Sequence, residues 1–133
     1  MGEIAVKEFR VLACVTVQRS CERMIIEGAK LARDMGGELI VLHVAQSGQD
    51  MLGYAVEGDA MEYLYRISSE HDAEMSVLRA TDIVDAISQF VKKKDITVVL
   101  TGAPNKRGGG RNIAAELMTT LPGVMFQTVY GDD

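Results

Sequence analysis

The residues best suited to chemistry lie in one stretch, Thr101-Gly102-Ala103-Pro104-Asn105-Lys106-Arg107-Gly108-Gly109-Gly110-Arg111-Asn112, between an aliphatic run and a helical pattern. Glycines let main-chain amides approach an anion closely, and a following helix N-terminus adds partial positive charge. Lys106, Arg107 and Arg111 add full charges, so the stretch suits a phosphate group. The competing reading is a solvated surface loop whose basic residues keep it in water. Neither Gly-x-x-x-x-Gly-Lys-Ser/Thr nor Gly-x-Gly-x-x-Gly is present.

Other reactive side chains are scattered. Cys21 falls at the start of a helical pattern between Arg19 and Arg23, where dipole and charge would favour a thiolate. Its spacing from Cys14 matches neither a redox Cys-x-x-Cys nor a zinc half-site, so both read as reduced, packed thiols. His43 sits inside a strand pattern and His71 near a helix end, and two histidines without clustered thiols or carboxylates make no metal site. Glu62, Glu70, Asp82 and Asp85 read as solvated charges or caps, and Met24, Met35, Met61 and Met118 as core filler. No nucleophile triad or acid–base pair can be assembled, so no catalytic residue is assigned and the chain reads as a non-enzyme.

The elements that must hold the glycine-rich stretch follow from hydrophobic periodicity. Residues 9–17 form a nearly continuous apolar run, as expected of a strand covered on both faces. A helix follows, capped by Ser20, with Met24, Ile25, Gly28, Leu31, Ala32 and Met35 as its stripe, and it stops at Gly36-Gly37. Residues 38–44 repeat the buried-strand signature, which makes the first two strands parallel across a right-handed crossover. A polar loop is expected over 45–58, then a helix with Met61, Leu64, Tyr65 and Ser68 on its inner face. Residues 73–79 give a third strand with Met75 and Val77 on one side.

Thr81 or Asp82 caps a third helix, striped by Ile83, Val84, Ile87, Phe90 and Val91 and ending in three lysines that suit the negative end of its dipole. Residues 96–101 are a fourth buried strand. Ile113, Ala114, Leu117, Met118 and Leu121 mark a fourth helix, broken at Leu121-Pro122-Gly123, and residues 124–130 are the last strand. Strict alternation of this kind predicts an α/β fold, with helices on both faces of a five-stranded parallel sheet. Ligands of such sheets sit beyond the strand carboxyl ends where the winding reverses, which directs attention to the loops after the first and fourth strands.

The totals agree. At 133 residues the chain is sized for one domain spanning 1–133, and 47% hydrophobic with 25% charged residues is an ordinary globular balance. A net charge of −5 offers no general attraction to nucleic acid or anionic lipid. No signal peptide or stretch of about 20 apolar residues is found, so a cytoplasmic location is expected.

The segment from Val11 through Val44, with Cys-Val-Thr at 14–16, Ser-Cys-Glu-Arg at 20–23 and Leu-His-Val at 42–44, resembles the opening of universal stress proteins. It is similar above all to the universal-stress-type domain of the KdpD potassium-sensor kinases, with a weaker likeness continuing through Val77-Leu78-Arg79 and residues 82–87 to the last strand. The resemblance implies an adenine nucleotide alpha hydrolase-like fold with strand order 3-2-1-4-5, often dimeric through the last strand, and adenine nucleotide held between the ends of strands one and four. It carries a ligand site onto Thr16, Val17, Val44, Gly102, Asn105, Gly108, Gly109, Gly110, Arg111 and Asn112.

The chain departs from the nucleotide-binding pattern of that family. Thr16 and Val17 stand where an acid is usual, Asn105 where a second glycine is usual, and Arg111-Asn112 where Gly-Ser/Thr would precede the helix. Phe126-Gln127-Thr128-Val129-Tyr130 partly resembles an element with which some of these kinase domains recognise cyclic di-AMP, although the same residues also suit a packed strand. The expected function is therefore a non-catalytic nucleotide-binding or signalling module that needs no cofactor and takes ATP, AMP or cyclic di-AMP as a ligand. The alternative is a ligand-free interaction protein, homodimeric through the last strand from Val124 to Tyr130 or bound to a signalling partner.

Overall fold

The computed structural model describes residues 9–15, 21–46, 54–102 and 113–129. Within them the chain alternates strictly: β1 (Arg10–Val15), α1 (Cys21–Asp34), β2 (Glu38–Gln46), α2 (Tyr54–Glu70), β3 (Glu74–Ala80), α3 (Ile83–Lys94), β4 (Val98–Gly102), α4 (Ile113–Thr120) and β5 (Met125–Val129). The strands form one parallel sheet in the order β3-β2-β1-β4-β5, as the alternation and the resemblance imply.

Period-two alternation divides the core between the two faces. Val11, Ala13, Leu39, Val41, Val98 and Leu100 point toward α1 and α2, where they meet Met24, Ile25, Ala29, Leu64 and Ile67. The intervening Leu12, Ile40, Leu42 and Val99 point toward α3 and α4, where they meet Val84, Ile87, Phe90, Val91, Leu117 and Leu121. Burial on both faces is why β1, β2 and β4 read as unbroken aliphatic runs.

The helix ends follow their local chemistry. Asp82 caps α3 by accepting from the Asp85 amide at 3.1 Å, while Lys92, Lys93 and Lys94 occupy its last turn before Asp95 turns left-handed at φ 54°. After α1, Gly36 adopts φ +69° and Gly37 passes so close to the Phe9 carbonyl that a side chain there would collide with it. That approach lets the Glu38 amide donate to Phe9 O at 3.0 Å and sets the register Arg10↔Glu38.

Several sequence expectations shift. Met35 lies beyond the end of α1 and is 54% exposed, and Met118 on the short α4 is 46% exposed, so neither fills the core. On α2 the inner face is Leu64, Ile67 and Ser68, whereas Tyr65, one residue past Leu64 and therefore turned about 100° away, is outside. Val77 is exposed on the edge strand β3. The expected long loop over 45–58 is shorter, because β2 continues to Gln46 and α2 begins at Tyr54. Met24, Met61, Asp82, Asp85, Glu62 and Glu70 stand as the sequence suggests.

Candidate functional site at the sheet's carboxyl edge

β1 has β2 on one side and β4 on the other, so the winding reverses at β1 and the chain leaves the adjacent carboxyl ends of β1 and β4 toward opposite faces. The pairing Leu12↔Val99 and Ala13↔Leu100 brings the end of β1 level with Thr101 and Gly102. On the other side, Val15 pairs with His43, which places Val44 one step farther out.

Side-chain direction then sorts these residues. Gly102 ends β4 facing α1, and a Cβ there would meet Met24 Cε at 3.5 Å, an ordinary contact. His43 is buried on the sheet, as its place in a strand pattern suggests. On the opposite face, Cys14 and Val44 pack partly buried against the α3/α4 core. Thr101, two residues beyond Val99, faces the same way and is 8% exposed. Its Oγ1 is fully enclosed and makes no hydrogen bond.

Desolvation pushes the Cys14 thiol from 9.0 up to about 12, so although part of the residue reaches the surface, its sulfur stays protonated and uncharged near neutrality. Together with Thr101 and Val44 it gives this part of the edge a neutral floor. Among the described residues no group of three or more His, Cys, Asp or Glu could hold a metal ion, and no helix is long and apolar enough to cross a membrane.

Of the residues singled out from sequence, Gly102 ends β4 and Val44 lies two residues before the end of β2, on either side of β1. Thr16, Val17, Asn105, Gly108, Gly109, Gly110, Arg111 and Asn112 lie outside the described residues, as does the basic loop that carries most of them. Cys21 begins α1. Sequence reasoning placed Thr101 in a strand but missed its buried, unbonded hydroxyl. The available signal was a hydroxyl closing a run of aliphatic residues, Val98-Val99-Leu100, immediately before the loop.

No known protein-family profile matches the chain. Over 93 residues, 70% of its length, it is 27% identical to a protein from Synechocystis named as a KdpD sensor, and the matched part is 25% of that protein. The chain thus spans about a quarter of the curated relative it matches. Among solved structures, a universal stress protein in complex with cAMP superposes with a TM-score of 0.68 at 12% identity, covering 92% of this chain and 97% of that one. The universal stress protein of Archaeoglobus fulgidus in complex with dAMP superposes with a TM-score of 0.62 at 16% identity, covering 96% of this chain and 100% of its counterpart.

Proposed function

We propose that this chain, which has the universal stress protein fold, is a non-catalytic nucleotide-binding and signalling module, one domain over residues 1–133 acting in the cytoplasm. The observation that carries the reading is the reversal of winding at β1, since ligands of such sheets bind beyond the strand carboxyl ends at that point, and Gly102 ends the neighbouring β4. The similar structures with cAMP and dAMP favour an adenine nucleotide over other ligands of such sites. Thr16, Val17, Asn105, Gly108, Gly109, Gly110, Arg111 and Asn112 would complete the site, with Arg111 and the glycine amides on phosphate.

Calorimetric titration with ATP, AMP and cyclic di-AMP tests this reading. Binding of at least one of them in the submillimolar range is expected, and Arg111→Ala should weaken it by about 1.5 to 3 kcal/mol if the contact is charge-assisted. Absence of heat with all three removes ligand binding.

A second reading, self-association through β5, is favoured by the contrast between the sheet's two edges. β3 carries Glu74 and Arg79, charges that discourage strand pairing, whereas β5 reads Met-Phe-Gln-Thr-Val, with Met125 61% exposed. We infer a homodimer along β5. Sedimentation should give a dimer that Met125→Lys converts to monomer, and a wild-type monomer at high concentration contradicts it.

A further inference from the structure

The two faces of β5 are covered unequally. Phe126 packs against the core beneath α3 and α4, whereas Val129 belongs to the core beneath α1 and α2. Alternation puts Met125 and Gln127 on the same face as Val129, yet both are exposed. Met125 is 61% exposed, the most open methionine among the described residues, while Met24 in the same core is 3% exposed. Of the side chains on β5, only the thioether of Met125 turns polar on mild oxidation.

The backbone fixes where Met125 stands between two copies. Its amide donates to Thr97 O at 3.2 Å, so Met125, Gln127 and Val129 turn their main-chain groups toward β4, and Phe126 and Thr128 turn theirs to the open edge. Two copies joined along this edge by a two-fold axis across the sheet pair antiparallel. Full overlap of the strand then sets Phe126 against Thr128 of the second copy, Gln127 against its own counterpart, and Met125 against Val129 of the second copy. The last two are non-hydrogen-bonded pairs, whose side chains lie closest. Because the thioether stands on the bare face and not in the hydrogen-bonded seam, solvent still reaches it after pairing.

We propose that Met125 is an oxidation site through which a hydroperoxide separates the two copies. This inference rests on the homodimer reading above. The Met125 sulfur attacks the terminal peroxide oxygen, the O–O bond breaks and an S–O bond forms, and the hydroperoxide proton passes to the oxygen that leaves as water or an alcohol. Sulfur is oxidised by two electrons and the peroxide is reduced by the same two. The sulfoxide oxygen then replaces an apolar contact with Val129 of the second copy by a group that prefers water, twice in each dimer.

Sedimentation and peptide mass mapping of the full chain, before and after hydrogen peroxide, provide the test. Met125→Leu keeps the apolar bulk without an oxidisable sulfur, and the double variant Met35→Leu with Met118→Leu removes the other exposed thioethers among the described residues. Treated wild type should carry one added oxygen at Met125, and its dimer dissociation constant should rise about tenfold or more. Met125→Leu should stay dimeric under the same treatment, and the double variant should dissociate as wild type does. A dimer that persists with Met125 oxidised, a Met125 that resists the peroxide, or a Met125→Leu protein that dissociates as readily as wild type overturns the proposal. An untreated wild type that is monomeric at high concentration defeats the homodimer reading instead.

Discussion

Arg10 Nη1 donates to the main-chain carbonyl of Lys94 at 2.7 Å, joining the start of the central strand to the last turn of α3. The same guanidinium donates from Nε to Glu38 Oε2 at 2.8 Å, and the Arg10 amide donates to Thr97 Oγ1 at 3.1 Å. One residue thus ties β1, β2, α3 and the approach to β4 at the sheet's amino edge, opposite the proposed ligand site.

The two bonds of that guanidinium should differ in weight. The Glu38 side chain is 49% exposed, so its ion pair is screened and Glu38→Gln should cost no more than about 1 kcal/mol. Arg10→Met also removes a charge-assisted bond to a helix-terminal carbonyl, and a larger loss of about 1.5 to 3 kcal/mol is expected. Urea unfolding of the two variants checks the order.

The adjacent glycines after α1 should respond differently to a methyl group. Gly36 has nothing within 4 Å of an added Cβ, so Gly36→Ala carries only the left-handed backbone penalty of about 1 to 2 kcal/mol. At Gly37 the methyl group would occupy the place of the Phe9 carbonyl, whose oxygen accepts from Glu38. Gly37→Ala should therefore displace the start of the β1–β2 pairing and destabilise by more than about 3 kcal/mol, as read by thermal unfolding.

Ser68 offers a gain. It is fully buried beside Ile67 and its hydroxyl is unbonded, while its carbonyl accepts from the His71 and Ala73 amides that close the helix. Ser68→Ala leaves that turn intact, removes a desolvated hydroxyl and favours helix, so stability should rise by about 1 kcal/mol in chemical unfolding.

Much of this framework was legible in the sequence because both its periods are strong. Continuous aliphatic runs can be buried only when helices cover both faces, and strict alternation with helices leaves few ways to order the sheet. Errors arose where a stripe was extended by one residue. Met35 falls past the last turn of α1, and Met118 and Tyr65 each follow a buried leucine and therefore turn outward. The strands themselves were readable, so Gly102 stands at the end of β4, while β2 runs two residues past the expected end at Val44. The enclosure of Thr101 was not, since it depends on which residues pack across the sheet rather than on neighbours in the chain.

Cys14 gives a pH dependence of known sign. Its thiol is raised from 9.0 to about 12 in the folded protein, so between those values the unfolded chain releases a proton that the native state retains. The contribution of this group to stability is complete below pH 9 and declines as pH rises toward 12. In a Cys21→Ser background, alkylation of Cys14 under native conditions should stay slow through pH 9, whereas the denatured protein should react readily.

The most direct test of the account is amide NMR of the labelled protein during titration with AMP. The account predicts shifts that saturate together and cluster at Cys14, Val44, Thr101, Gly102 and Ile113, with Arg10, Glu38 and Lys94 undisturbed. Shifts confined to the amino edge, or none at millimolar AMP, ATP or cyclic di-AMP tried in turn, would contradict it.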